Sequence, residues 1–128
     1  MKREIISQNC LNVVLLILPA SSLMTVASTI DPMRAANRIA GKTIFNWKIV
    51  SPRGLAIELT CGLSLPVNGR FSDNDRGDLL IIIGGFDVIN TALPVTPIRL
   101  KRILTNFPKV VSVEGGTWLL AKTGALDG

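Results

Sequence analysis

The stretch VVSVEGGTWLLAKTGALDG, residues 110–128, decides the fold, because a strand pattern and a helix pattern meet in it. Its β-branched start predicts a strand, and the run from Thr117 to Ala121 predicts a helix. Glu114 and two glycines stand between them. A strand, a tight turn and a helix in this order form the nucleophile elbow of α/β enzymes, whose corner residue is a nucleophile. The corner here is Glu114, so the stretch predicts a catalytic scaffold without the usual nucleophile.

The composition predicts one packed domain and gives no sign of nucleic-acid binding. The chain has 128 residues, of which 48% are apolar and 18% charged, which is typical of a single domain with a core. The net charge of +5 is scattered, and its one compact group is Arg99, Lys101 and Arg102. Such a group is usually the solvated face of a helix, and a phosphate-binding patch is the alternative. No helix-turn-helix, zinc-finger or RNA-binding pattern is present.

The chain has no histidine, which removes the usual general base of nucleophile triads and the commonest transition-metal ligand. Cys10 and Cys61 have neither the spacing of a metal site nor that of a disulfide framework. We expect both to be small buried thiols in a reducing compartment, the cytoplasm. The sequence therefore predicts no catalytic residue, no metal site and no cofactor.

The apolar run LNVVLLILPA, residues 11–20, follows a basic start and has two interpretations. It fits the apolar region of a signal peptide. It also fits a buried parallel strand, which is apolar on both faces. We favour the strand, because polar residues interrupt the approach, no small-residue cleavage site follows, and the run is too short to cross a bilayer. No membrane partner is expected.

The rest of the chain alternates strands with helices. The patterns predict strands at residues 12–18, 43–50, 55–59, 63–67, 79–83 and 110–113. They predict helices that begin after Ser21 or Ser22 with a kink at Pro32, at Thr96 or Pro97, and at Thr117. This order implies a three-layer α/β/α fold with a mostly parallel sheet. Ligands of such sheets bind at the carboxyl ends of the strands, where we expect residues 19–22, 84–87 and 114–117 to meet.

Four stretches, taken together, point to a known group of proteins. They are DPMRAANR at 31–38, VSPRG at 50–54 with CGLSLPV at 61–67, DLLIIIGG at 78–85, and GGTWLLAKTGALDG at 115–128. In this order and spacing the chain resembles the class I glutamine-amidotransferase-like (PfpI-type) domain in the N-terminal half of AraC-type transcriptional regulators. The resemblance implies a flavodoxin-like fold. It also implies that Glu114 stands where catalytic relatives have cysteine, which argues against an enzyme.

The resemblance further implies a non-catalytic sensor of a small metabolite, such as an amino acid or a quaternary amine, and a homodimer. The family domain normally continues past the LDG motif and is followed by a DNA-binding domain. We therefore expect residues 1–128 to form one incomplete sensor domain, cut short at its C-terminal side, with DNA bound only through a domain absent from this chain. The alternatives are an amidotransferase- or hydrolase-like enzyme, disfavoured by Glu114, and a purely structural fragment.

Three loops supply the predicted ligand contacts. The residues expected to contact the ligand are Pro19, Ser21, Gly84, Gly85, Phe86, Asp87, Glu114, Gly115, Gly116 and Thr117. For Glu114 three roles are open: a carboxylate satisfied by backbone N–H groups at a helix N-terminus, an anchor for a cationic amine, or a general acid or base. The last role needs a partner, for which Asp87 is the candidate. We expect Trp118 to pack in the core more readily than to face a cation.

Overall fold

The computed structural model describes residues 6–127, with side chains from Asn9 onward, as one alternating series of strands and helices. In chain order the elements are β1 (Ile6–Ile17), α1 (Leu23–Ala40), β2 (Thr43–Ser51), β3 (Ile57–Glu58), β4 (Ser64–Leu65), β5 (Gly69–Arg70), β6 (Leu79–Gly84), α2 (Val88–Thr91), α3 (Pro97–Leu104), β7 (Lys109–Glu114) and α4 (Gly116–Lys122).

A five-stranded parallel sheet in the order β5-β2-β1-β6-β7 is the centre of the fold. Its middle strand is β1, in which residues 13–17 are at most 3% exposed. The predicted strand in the first apolar run is confirmed, because a central parallel strand must be apolar on both faces. Residues 1–5, which carry the basic start, lie outside the described residues. No helix of the described part is long and apolar enough to cross a membrane.

Helices cover both faces of the sheet, so the predicted three-layer arrangement is confirmed. On one face, α1 and the β3–β4 hairpin pack over side chains such as Leu15, Ile17 and Ile83. On the other face, α2, α3 and α4 pack over alternate residues of the same strands, including Leu16 and Ile82. This alternation follows from the two-residue period of a strand. It leaves the carboxyl ends of β1, β2, β6 and β7 at one edge.

Local signals in the sequence explain the ends of α1. Ser22 is the N-cap, with its hydroxyl accepting from the backbone N–H of Thr25, and Gly41 ends the helix in the left-handed conformation with φ 68°. The predicted single helix is continuous through Pro32, and the kink expected there stays a prediction. Asp31 does not cap a second helical segment; it pairs with the Arg34 guanidinium at 2.8 Å, and this contact lowers the pKa of the Asp31 carboxyl.

Three short elements differ from the prediction. Gly69 and Arg70 lie outside every predicted strand, yet they form β5 beside the end of β2. The strands predicted at 55–59 and 63–67 shrink to the two-residue strands β3 and β4. The one-turn helix α2 was not predicted at all. Elements of two to four residues are too short to show a periodic pattern, so the sequence carries no signal for them.

The compact basic group lies on α3, where one of its members has a structural partner. Arg99 donates to the Asp73 carboxylate at 2.8 Å, which lowers the pKa of that carboxyl, and the Arg99 side chain is 19% exposed. Lys101 and Arg102 are exposed. Within this group, Arg99 therefore links α3 to the loop before β6, whereas the other two side chains face solvent.

Candidate ligand site

Three loops at the carboxyl edge of the sheet contain residues in a rare backbone conformation. Ala20, Asp87 and Glu114 have φ angles of 65°, 56° and 51°. Ala20 and Asp87 follow β1 and β6, and Glu114 is the last residue of β7. Non-glycine residues seldom adopt positive φ, and such residues concentrate at functional sites. The corner predicted at Glu114 is present, whereas the positive φ angles of Ala20 and Asp87 were not predicted. The edge therefore carries local strain on all three loops.

Two glycines hold these loops together by close approach. A Cβ atom on Gly85 would lie 2.1 Å from the carbonyl oxygen of Ala20, and a Cβ atom on Gly115 would lie 1.7 Å from the carbonyl oxygen of Gly85. Neither distance leaves room for a side chain. The backbone N–H of Gly115 also donates to the Gly84 carbonyl at 2.8 Å. The three loops thus stack in sequence, which fixes the position of Glu114 against the loop after β1.

The Glu114 carboxylate is held by α1. Its Oε1 accepts a hydrogen bond from the Thr25 hydroxyl at 2.7 Å, and the same hydroxyl accepts one from Ser22 at 2.7 Å. Thr25 is 7% exposed, whereas Glu114 is exposed. The partner is a side-chain hydroxyl rather than the backbone N–H groups that one interpretation of the sequence expected. The bond ties the end of β7 to the first turn of α1.

Three further predicted residues serve the local structure. Ser21 is fully buried, and its hydroxyl donates to the Leu18 carbonyl at 2.7 Å. Thr117 shares a hydrogen bond of 2.9 Å with Ser112, across the turn between β7 and α4. Gly116 is buried against the carbonyl of Ile82. In this structure these groups hold the elbow in place.

A cleft of about 320 Å³ opens beside Pro19 at this edge. Its walls come from the turn at residues 51–54, from β3 with the residues before it, and from α2 with the residues after it. Prolines and aliphatic side chains form much of the lining, and three polar side chains stand out: Arg53, Glu58 and Thr91. This volume is at the lower end of the range of small-molecule sites. The cleft suits a ligand of metabolite size.

A second, more open groove of about 290 Å³ lies beside the elbow. It is lined by Gly85, Phe86, Asp87 and Trp118, among others. Phe86 is 89% exposed and Trp118 is 59% exposed, so the expectation that Trp118 packs in the core is wrong. The Lys122 ammonium instead lies 4.8 Å from the centre of the Trp118 ring, one helical turn away.

The predicted contacts are therefore divided between two places. Pro19 lines the cleft, and residues 85–87 line the groove, while Glu114 lines neither of the two. Sequence reasoning missed Arg53, Glu58 and Thr91. Arg53 lay within reach of that reasoning, because the turn after β2 also ends at the carboxyl edge of the sheet. Glu58 and Thr91 lie on elements too short for the sequence to reveal.

Neither cysteine lies where it was expected from the sequence. Cys61 is exposed in the turn between β3 and β4 rather than buried as expected, and Cys10 is half-buried on β1. Between residues 6 and 127, no cluster of three or more potential metal ligands comes together. The chemistry at this edge is therefore that of carboxylates, hydroxyls and one guanidinium.

Known regulators are similar to this chain. It is 29% identical over 113 residues to the HTH-type transcriptional regulator CdhR of Pseudomonas aeruginosa, a match that covers 88% of this chain and 33% of that protein. The predicted resemblance is confirmed. The chain spans about a third of the length of the curated relatives it matches. No family model matches the chain.

Solved structures with the same fold include both regulators and PfpI-type proteins. An AraC family transcriptional regulator from Pseudomonas putida superposes with a TM-score of 0.73 at 23% identity, covering 91% of this chain and 63% of that one. A ThiJ/PfpI family protein from Pseudomonas syringae superposes with a TM-score of 0.71 at 17% identity, covering 93% and 48%. The flavodoxin-like α/β fold is thus confirmed.

Because Gly115 has no room for a side chain, the substitution Gly115→Ala should separate the loops after β6 and β7. We expect the free energy of unfolding to fall by about 3 kcal/mol or more, since overpacking against backbone cannot be relieved by a rotamer change. Urea denaturation measures the difference. Gly69→Ala is the matched control, because a Cβ atom there meets nothing within 4 Å. Equal losses in both variants would contradict the packing argument.

The bond between Thr25 and Glu114 should contribute to stability. Thr25→Val keeps the shape of the side chain and removes the donor, so we expect a loss of about 1.5–3 kcal/mol in the free energy of unfolding, the range for a hydrogen bond to a charged group. Thermal or urea unfolding measures it. Thr29→Val is the control, because Thr29 bonds only to the backbone of its own helix, at the Thr25 carbonyl. In the Glu114→Ala background, the effect of Thr25→Val should shrink, and an undiminished effect would show that the bond is not the cause.

Proposed function

We propose that this chain is the small-molecule-sensing and dimerisation part of a transcriptional regulator and that it does not catalyse a reaction. The observation that carries the proposal is the elbow itself: a strained corner at the ligand-binding edge of the sheet, occupied by a carboxylate. Similarity to helix-turn-helix regulators supports the regulatory role. DNA contact would belong to a part of the protein outside these residues, and the site of action would be the cytoplasm, where bacterial DNA is found.

Glu114 is the residue that speaks against catalysis. By resemblance this residue stands where catalytic relatives have cysteine. A carboxylate that accepts a hydrogen bond from Thr25 is a weaker nucleophile toward acyl groups than a cysteine thiolate. These 128 residues also contain no histidine that could act as the general acid and base of an amidotransferase- or hydrolase-like reaction. The elbow is thus better suited to hold charge than to transfer a group.

The predicted ligand contacts remain part of the proposal. Glu114 places a negative charge at the edge, and Asp87 adds a second one on the loop after β6. Phe86 and Trp118 add exposed aromatic surface on the adjacent groove. This composition favours a small ligand that carries a positive charge, such as an amino acid or a quaternary amine.

A thermal-shift screen tests the sensor function. Amino acids, betaines and polyamines should include at least one compound that raises the melting temperature with increasing dose, because a ligand that binds the native state stabilises it by mass action. Glu114→Gln should reduce the shift of a cationic ligand modestly, because it removes negative potential from the edge of the sheet. Asp31→Asn is the control for loss of one negative charge, because Asp31 lies on α1 in a surface pair with Arg34.

The screen distinguishes the role of Glu114 from the sensor function as a whole. An equal shift in wild type and Glu114→Gln would remove Glu114 from ligand binding and leave the sensor function in place. A folded protein that responds to none of the compounds, nor to a broader library of bacterial metabolites, would overturn the sensor function.

Self-association is the second half of the proposal. Light scattering of the chain at micromolar concentration should give the mass of a dimer, about twice the 13.8 kDa of one chain. A monomer at all concentrations up to the solubility limit would contradict the dimerisation role. It would not affect ligand sensing, which the thermal-shift screen measures independently.

A further inference from the structure

The cleft beside Pro19 carries two opposite charges on different walls. Arg53 comes from the turn after β2, and Glu58 is in β3. Among residues 6–127 the ion pairs are formed by other side chains, and neither Arg53 nor Glu58 takes part in one. Both side chains are exposed at the cleft. A guanidinium suits a carboxylate ligand through paired N–H donors, and a carboxylate suits an ammonium group.

The surface between these charges is apolar. Pro19, Pro52, Leu55, Ala56 and Leu93 contribute to the lining. Such walls fit a short chain of methylene groups. The lining contains no aromatic side chain, whereas sites for quaternary ammonium groups are typically cages of aromatic rings. An ammonium group that donates hydrogen bonds therefore fits the cleft better than a trimethylammonium group.

The third wall contains a polar group without a partner. The hydroxyl oxygen of Thr91 is buried and has no hydrogen-bond partner among the described residues, and Thr91 lines the cleft. A buried hydroxyl in this state is uncommon and costs free energy, so it calls for an explanation such as a bound ligand or water. A rotation about χ1 of Thr91 would carry the hydroxyl to another staggered position. Because the hydroxyl oxygen is buried in its present rotamer, a ligand in the cleft would supply the missing partner only after this rotation.

From these three observations, and on the basis of the proposed sensor function, we infer that the cleft is the ligand site and that it takes a small zwitterionic amino carboxylate. Arg53 binds the carboxylate of the ligand, and Glu58 binds its protonated amine. Thr91 completes the site from α2. Glu114, which lines neither pocket and is bonded to Thr25, contributes only its negative potential at the edge.

Titration calorimetry on the chain tests this inference with a graded set of ligands. The probes are glycine, β-alanine, 4-aminobutanoate, 5-aminopentanoate, 6-aminohexanoate and a panel of L-α-amino acids. Pentylamine and pentanoate carry one charge each, and the N,N,N-trimethyl form of each ω-amino acid replaces the ammonium group. We expect at least one amino carboxylate to bind about tenfold or more tightly than its trimethyl form and than either singly charged compound.

Single substitutions locate the site. Arg53→Gln and Glu58→Gln should each weaken the binding of that amino carboxylate about tenfold or more, because each removes a charged hydrogen bond. Arg38→Gln and Asp31→Asn are the controls for charge, since both residues lie on α1 and neither lines the cleft. Glu114→Gln should weaken binding of the amino carboxylate by no more than about threefold. Thr91→Val should weaken binding about twofold to tenfold while leaving the melting temperature of the free protein unchanged or raised, a combination that a structural role would not give.

Each result decides between the cleft and its alternatives. The inference is overturned if an amino carboxylate binds with equal affinity to the Arg53→Gln and Glu58→Gln variants. It is also overturned if Glu114→Gln has the larger effect, or if a trimethylated or singly charged compound binds as tightly. Binding by another class of metabolite alone would overturn the inference and leave the sensor function standing. Binding by no metabolite would overturn both.

Discussion

The contact on which the carboxyl edge depends is the stacking of three loops through Gly85 and Gly115. Each glycine lies so close to a carbonyl oxygen of the preceding loop that a side chain at either position would collide with backbone. Backbone carbonyls of a packed sheet cannot move aside as a flexible side chain can. The core therefore fixes the relative positions of the loops after β1, β6 and β7. The stacking of these loops in turn determines where the polar groups of the edge lie.

The strained corner at Glu114 is held by contacts on two sides. Gly115 presses against the loop after β6, and the Thr25 hydroxyl binds the carboxylate from α1. A non-glycine residue with φ 51° costs free energy, which surrounding interactions must offset. In an enzyme such strain exposes a nucleophile. Here the same geometry presents a carboxylate, and its link to α1 couples the edge of the sheet to the helix that covers the opposite face from α2.

The sequence predicts the elements that are long enough to show a periodic or continuous apolar pattern, and it misses the shorter ones. Apolar runs long enough to show that both faces are buried identified β1 and β6, and a serine cap and a glycine stop delimited α1. The pair Gly69 and Arg70 and the single turn of α2 lack any period. Burial of Trp118 was predicted from residue type alone, whereas its side chain lies on the outer face of a seven-residue helix. Glu114 was predicted as the corner residue because the strand, turn and helix of the elbow are consecutive in the sequence. Arg53, Glu58 and Thr91 were not, because the cleft is assembled from segments far apart in the chain.

The composition of the cleft also bears on how a sensor would transmit binding. A ligand shifts a conformational equilibrium only if it binds one state better than another. The walls of the cleft come from the rigid end of β1, from a turn after β2, and from α2, a single helical turn whose N-cap residue, Asp87, makes no capping hydrogen bond. So short a helix has little stability of its own. A zwitterion held between Arg53 and Glu58, with Thr91 as its third contact, would therefore stabilise α2. Because Asp87 also belongs to the loop that Gly115 packs against, a change in α2 would reach the elbow directly.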